Sequence, residues 1–310
     1  MTGQSSRAVR RATTIRLVLL ALVWGSSFLW IKLAIRGLSP VEVTFARLIL
    51  GSLVLFAIAA IRRGPLPRSP VIWAHIAVAS VFGNAAPYLL FALGEQHVAS
   101  STAGMLNATT PLWTVVVALT TRHQRAVSAR QAAGLVIGFG GAVLIFSPWQ
   151  SAGGLASVGA IESVAAGASY GISYVYMDRF LARRGISPVT LSACQLLSAS
   201  VLLAVVLGVT GAPAPRLDAS VVVSTVILGL AATGAAYVLN YQIITSEGAT
   251  VASTVTYLLP VVAIILGVLV LGEHITVLVL GGIALILAGV ALTRNRAQRA
   301  RPREITRRPQ

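Results

Sequence analysis

The sequence predicts an all-α integral membrane protein of ten transmembrane helices, built as two inverted five-helix repeats with both termini cytoplasmic. Three observations predict it. Apolar runs long enough to cross a bilayer recur along the chain, arginines gather in alternate gaps between them, and short motifs return after 148 or 149 residues.

Of the 310 residues, 56% are hydrophobic and only 10% are charged, with a mean hydropathy of +0.84. Soluble domains carry about 25% charged residues. A water-soluble fold of this length could not hide so much apolar surface, so lipid is the solvent that fits. A spanning helix needs roughly 17–25 apolar residues. Such runs fall at 15–35, 41–61, 71–93, 99–120, 130–148, 158–177, 188–209, 219–242, 250–271 and 276–293. Turn and charge signals separate them, among them Arg62-Arg63-Gly64-Pro65, Arg183-Arg184-Gly185 and Gly272-Glu273-His274. The first run is too long for a signal peptide and has no convincing small-residue cleavage site, so it reads as a helix. Cys194 lies alone inside an apolar run and reads as an inert buried thiol.

The net charge of +16 raises the question of nucleic acid, and position answers it. Seven arginines lie between Arg294 and Arg308, and others cluster at Arg7, Arg10, Arg11 and Arg16, at Arg62, Arg63 and Arg68, at Arg122, Arg125 and Arg130, and at Arg179, Arg183 and Arg184. The opposite loops keep only Arg36 and Arg216, while Lys32 and Arg47 fall within apolar runs. That asymmetry is the positive-inside pattern, with the basic segments against an anionic cytoplasmic leaflet. It predicts a multi-pass protein of the inner or plasma membrane with no nucleic-acid partner. Both ends inside requires an even number of helices.

Leu38-Ser39-Pro40-Val41 recurs as Ile186-Ser187-Pro188-Val189, and Gly134 and Gly141 recur as Gly282 and Gly289, all 148 residues on. Tyr88 pairs with Tyr237 and Pro111 with Pro260 at 149. The chain therefore divides into a basic N-terminal segment 1–14, a first repeat 15–148, an external linker 149–157, a second repeat 158–293 and a basic, disordered cytoplasmic tail 294–310. Five spans per repeat is an odd number, so the second copy is inverted in the membrane. Inverted repeats around a midplane site are typical of secondary transporters.

Trp24-Gly25-Ser26-Ser27-Phe28, Phe45-Ala46-Arg47, the stretches 103–111 and 252–260, Leu271-Gly272-Glu273 and the glycine-rich fifth and tenth runs together resemble the EamA-type permeases of the drug/metabolite transporter superfamily. The resemblance covers about 15–293. It implies a ten-helix inverted-repeat fold with a central cavity, and export of amino acids or other metabolites. One departure is clear. Where such permeases often repeat Leu-Gly-Glu after the fourth helix, this chain has Thr121-Arg122-His123-Gln124, so no glutamate role carries over there.

The polar and aromatic residues suggest where a cavity would lie. Asn84, Tyr88, Phe91 and Glu95 form one helical stripe. Thr233, Tyr237, Asn240 and Tyr241 repeat it in the eighth run, and Tyr170 with Tyr174, Trp24 with Ser27 and Phe28, Asn107 with Thr110, and Thr256 with Tyr257 complete the set. A polar group facing lipid costs several kcal/mol unless paired, so these stripes face inward. Each residue alone reads as well as interhelical glue, worth about 0.6 kcal/mol; as a matched set they suit a small amphipathic solute. Arg47 at mid-helix costs about 2.5–3.5 kcal/mol on the insertion scale. It needs a partner, either a substrate carboxylate or a neighbouring helix. Its repeat mate is Gln195. Glu162 reads as a group snorkelling to the interface, and Glu95, Glu247 and Glu273 as solvated or capping groups at helix ends. Pro111 and Pro260 each remove a backbone hydrogen bond and read as a packing kink or a paired hinge.

The four histidines do not stand at metal-ligand spacing, and no Walker loop, dinucleotide turn or nucleophile elbow is present. An enzyme, a metal site, a bound cofactor and ATP-driven transport are therefore not expected. The expected function is secondary transport, as an exporter of small metabolites such as amino acids by alternating access. A multidrug or organic-cation efflux carrier is the second reading, and a non-transporting scaffold or receptor the third. Oligomeric state is left open, with a monomer compatible.

Overall fold

The computed structural model describes residues 2–98, 100–124, 126–146, 157–211, 213–259, 261–262 and 277–294. Pro260, Glu273, nearly all of the 149–157 linker and the tail beyond Arg294 lie outside the described residues. The described residues fold into helices without strands: α1 (Thr2–Gly25), α2 (Ser27–Ala34), α3 (Pro40–Ile61), α4 (Pro70–Ser80), α5 (Ala86–His97), α6 (Ser100–Asn107), α7 (Thr110–Thr120), α8 (Ala129–Phe146), α9 (Val158–Phe180), α10 (Pro188–Thr210), α11 (Ala219–Gly229), α12 (Ala236–Glu247), α13 (Ala249–Ser253) and α14 (Val277–Arg294). Five continuous helical stretches are long and apolar enough to cross a membrane: Ala12–Ala34, Pro40–Ile61, Pro70–His97, Pro188–Thr210 and Ala219–Glu247. Shorter apolar helices include Thr110–Thr120, Ala129–Leu144, Ala249–Leu259 and Leu280–Thr293.

The Ser-Pro-Val recurrence is a helix-start signal. Ser39 caps α3 in a capping box with Glu42, and Pro40 fills the first turn, where no N–H is needed. Ser187 accepts from the Thr190 N–H at 3.1 Å ahead of Pro188 in the same way. Asp218 caps α11 through the Val221 N–H at 2.8 Å.

Several spans are interrupted, and one pair of interruptions is matched between the halves. α4 and α5 are joined through a π-helical segment, Val81–Ala85, and α11 and α12 through another, Leu230–Ala235. Wider i→i+5 turns of this kind re-aim the side chains around them and concentrate at functional sites. The first span breaks at Ser26, and α6 and α7 are separated at Ala108 and Thr109, just before Pro111.

α3 lies antiparallel to α10, with Ser52 Oγ donating to the Ala193 carbonyl at 3.3 Å. α8 and α14 also run antiparallel, and glycines set their separation. A Cβ at Gly134 would sit 2.8 Å from the Gly289 carbonyl oxygen, and one at Gly141 would sit 2.7 Å from that of Gly282. Small residues allow this approach of backbones, which dispersion then stabilises. α5 packs on α9 where Gly94 and Gly159 meet. The outer surfaces of these helices carry large apolar side chains, with Val201 57% and Val205 60% exposed on α10, while buried polar groups collect in the middle.

One end of the bundle gathers the arginine-bearing loops. Gly64, beside Arg62 and Arg63, lies against Thr190, and Arg179 donates to the Thr121 carbonyl at 3.1 Å. At the other end the Arg216 N–H donates to the Gly37 carbonyl at 2.8 Å.

Candidate functional site

A cavity of about 40 Å³ sits in the middle of the bundle. α1, α2, α3, α5, α6 and α9 supply its walls, with Thr256 and Leu259 from the stretch after α13. The aromatic rings are fixed by one another. Phe28 meets Phe91 edge-on with centroids 5.5 Å apart, and Tyr170 lies 6.3 Å from Tyr88 and 6.1 Å from Phe91. Trp24 Nε1 donates to the Ala232 carbonyl at 3.0 Å, a carbonyl inside the second π-helical segment. A smaller space of about 10 Å³ adjoins it, sharing Trp24, Tyr170 and Tyr174 and adding Ser173, Met177, Tyr237 and Asn240.

Beside the cavity stand two polar hubs at corresponding positions of the halves. Arg47 on α3 donates from Nε to Thr233 Oγ1 at 3.0 Å, and its guanidinium lies 3.9 Å over the Tyr88 ring. Gln195 on α10 donates to Asn84 Oδ1 at 2.7 Å, to Tyr237 Oη at 3.0 Å and to the Ala79 carbonyl at 3.2 Å. Its carbonyl accepts from the Tyr241 hydroxyl. Thr233 and Asn84 are themselves counterparts, one in each π-helical segment, and so are Tyr88 and Tyr237. Each hub therefore reaches the opposite half's π-helical segment and touches its own half's tyrosine.

The predicted residues separate into two groups. Trp24, Ser27, Phe28, Arg47, Tyr88, Phe91, Asn107, Tyr170, Tyr174 and Thr256 line the central cavity, and Tyr237 and Asn240 line the adjoining space. Four others, Asn84, Thr110, Tyr241 and Tyr257, are not among the residues that line either space, although Asn84 leaves its Nδ2 without a partner. Asn84 and Tyr241 are bonded to Gln195, and Thr110 donates to Asn107 Oδ1 at 3.1 Å. Tyr257 donates to the Leu135 carbonyl at 3.0 Å and lays its ring on Gly138 of α8. Glu95 is also not a solvated helix end. It is 0% exposed, accepts from Ser100 Oγ at 2.7 Å and leaves Oε1 without a partner. Glu162 does not place its whole carboxylate in the interface either, for its Oε2 is buried. Pro111 sits in the first turn of α7 next to the break, while Pro260 is outside the described residues.

The two ends of the cavity differ. Toward the arginine-bearing end, a vestibule of about 610 Å³ opens between α7, α9, α12, α13 and α14. His123 Nε2 lies 2.9 Å from Asp178 Oδ2 on its wall, and Thr13 donates to Glu247 at 3.1 Å beside it. Asp178 on the vestibule and Tyr174 on the cavity are about one turn apart on α9, so this helix borders both spaces. At the opposite end a cluster of hydrogen bonds joins the helices. Beyond the Phe28–Phe91 pair, Lys32 Nζ donates to the carbonyls of Glu95 and Val98, and Ser100 ties Glu95 to the Phe28 carbonyl. A cation on the last carbonyls of α5 also suits that helix's dipole. Lys32 and Ser100 escaped the sequence reading, although Lys32 stood out there as one of two cations inside apolar runs.

The model of the EamA-like transporter family matches residues 13–147 and again 157–295. A protein of Streptantibioticus cattleyicolor named "Probable terminal-alkyne amino-acid exporter" is 31% identical over 298 residues, covering 93% of this chain and 95% of that relative. An "Uncharacterized transporter" of Archaeoglobus fulgidus is 25% identical, covering 88% of this chain and 95% of its own length. A solved crystal structure superposes with a TM-score of 0.75 at 20% identity, over 94% of this chain and 99% of the other, a likeness of fold alone.

Proposed function

This chain belongs to the EamA-like transporter family, and on that premise we propose that it is a secondary exporter of small metabolites, such as amino acids or related amphipathic compounds. Transport proceeds by alternating access around the cavity between two inverted five-helix repeats. The observation that carries this reading is the pair of polar hubs at Arg47 and Gln195. Each crosses to the other half's π-helical segment beside a cavity lined by aromatic and amide groups. A site shared by two related halves is the place where their relative rocking changes access.

The positive-inside rule puts the arginine-bearing end and both termini in the cytoplasm. The vestibule then faces the cytoplasm, and the Lys32–Glu95–Ser100 cluster lies at the external end. A volume of about 40 Å³ is far below the 300–1,000 Å³ of small-molecule sites. The space is thus contracted, and on this reading it widens when solute enters from the vestibule side. Solute entry requires α9 and the stretch after α13 to part near Tyr174 and Thr256. The break before Pro111 gives α7 a hinge for that motion. The exporter relative at 31% identity supports an amphipathic amino acid as the type of solute.

The test is flux in proteoliposomes holding the purified chain, with a panel of amino acids, organic acids and amines, with and without a pH gradient. Saturable counterflow of one class is expected. Alanine at Tyr88, Asn107, Tyr174 or Asn240 should lower the rate in most cases. Wild-type rates in all four variants would remove the cavity assignment, and no movement of any solute under any gradient would remove the transport reading.

A further inference from the structure

We infer that the cavity recognises its solute by a carboxylate, with Arg47 as the anchor and no requirement for an amino group on the solute. This deepens the transport reading and rests on it. Three observations carry it.

First, Arg47 is 4% exposed and is the only charged side chain among the described residues that line the cavity. Burial of a cation demands compensation. Among the described residues its compensation stops at one hydrogen bond from Nε and the face of Tyr88. No carboxylate lies within ion-pair distance, for the described ion pairs involve only His123, Arg183 and Asp178. Glu95, two turns beyond Tyr88 on the same helix face, gives its carboxylate to Ser100 instead.

Second, the scaffold does not need the charge. Gln195 occupies the corresponding place in the other half and completes its hub with an amide, with acceptors around its NH2 and the Tyr241 hydroxyl on its carbonyl. An amide is therefore sufficient to join the halves. The guanidinium adds what an amide lacks: a positive charge and paired N–H donors in a fork that fits a carboxylate. Arg47 itself is part of the cavity wall.

Third, among the described residues the cavity carries no acidic side chain to receive an ammonium group. Trp24, Phe28, Phe91 and Tyr170 supply apolar walls, and Asn107 a neutral polar group. A solute with a carboxylate and an apolar body satisfies every one of these surfaces. An organic cation meets Arg47 as a like charge, which disfavours the cation-efflux reading.

The experiment uses the full chain in proteoliposomes and three solutes with one body: phenylalanine, 3-phenylpropionate and phenylalaninamide. A leucine series, with 4-methylpentanoate and leucinamide, is run in parallel. In each series the first two solutes should be carried and the amide, which keeps the ammonium but loses the carboxylate, should not. Arg47→Gln, which copies the residue of the other hub, should fold as the wild type does in a thermal unfolding scan. It should lose about ten- to a hundredfold in kcat/KM for the carboxylates, the range for a charged hydrogen-bond anchor. Arg47→Lys should keep the preference for carboxylates at a reduced rate. If Arg47→Gln does not fold, the wild type and Arg47→Lys still decide the matter. Equal transport of the amide, or a strict need for the ammonium, overturns the inference while leaving transport intact. Absence of any flux overturns the transport reading itself.

Discussion

Arg47 and Gln195 show how one position in a repeat can serve two purposes. Gln195 is fully buried and bonded on both sides of its amide, so its work is internal. Gln195→Leu should leave Asn84, Tyr237 and Tyr241 without their shared partner. Interhelical hydrogen bonds in membranes average about 0.6 kcal/mol, so losing three or four amounts to about 2 kcal/mol. Unfolding in detergent should show a loss of that size; a loss near zero would mean the hub is not holding the halves. Arg47 was legible in the sequence as a charge inside an apolar run, and the repeat register led from it to Gln195. The fate of neighbouring polar residues was not legible. Tyr88 and Tyr241 look alike in a stripe, but only the packing of α10 decides that one faces the cavity and the other faces Gln195. Tyr257 was misplaced for a similar reason. Gly138 leaves a notch that accepts the ring, and a stripe drawn on the stretch after α13 alone cannot reveal a notch on α8.

At the scale of elements, the glycines of α8 and α14 set a backbone separation that a side chain cannot share. A Cβ at Gly289 would lie 2.6 Å from the Gly138 nitrogen, whereas one at Gly140 meets nothing within 4 Å. Gly289→Val should therefore cost about 1–3 kcal/mol by overpacking and lower the folded yield, while Gly140→Ala is tolerated. Equal yields from both would mean that the two helices are not packed through these glycines. The recurrence of glycine was visible in the sequence because composition and spacing record close approach. The π-helical segments were not, since an extra residue in a turn leaves no mark on an apolar run. Their matched positions, 81–85 and 230–235, emerge only when hydrogen bonds are traced. The same holds for Glu95. Its place near the end of a run suggests water, but α2 and α6 close over it through Lys32 and Ser100.

For the whole molecule, the charge pattern gives an orientation that labelling can test. Cys194 is the only cysteine and is fully buried, so the natural chain should be silent to thiol reagents. Thr250→Cys on the vestibule should react with an impermeant maleimide in inside-out vesicles, and Arg36→Cys at the opposite end should react in intact cells. The reverse assignment would turn the topology over and place the vestibule outside. The presence of apolar helices long enough to cross a bilayer was legible because bilayer thickness sets helix length. The small size of the cavity was not, because it depends on how far the halves lean together.

Alternating access around the central cavity is tested most directly by a thiol placed on the cavity wall. Ser27→Cys puts one there, at a position 6% exposed that lines the space beneath Phe28. The reaction rate of that thiol with a small impermeant reagent is measured separately from each face of the membrane, with and without saturating solute. The account predicts slow labelling from both faces and protection by a transported carboxylate. Labelling from one face only, whatever the solute, would contradict it.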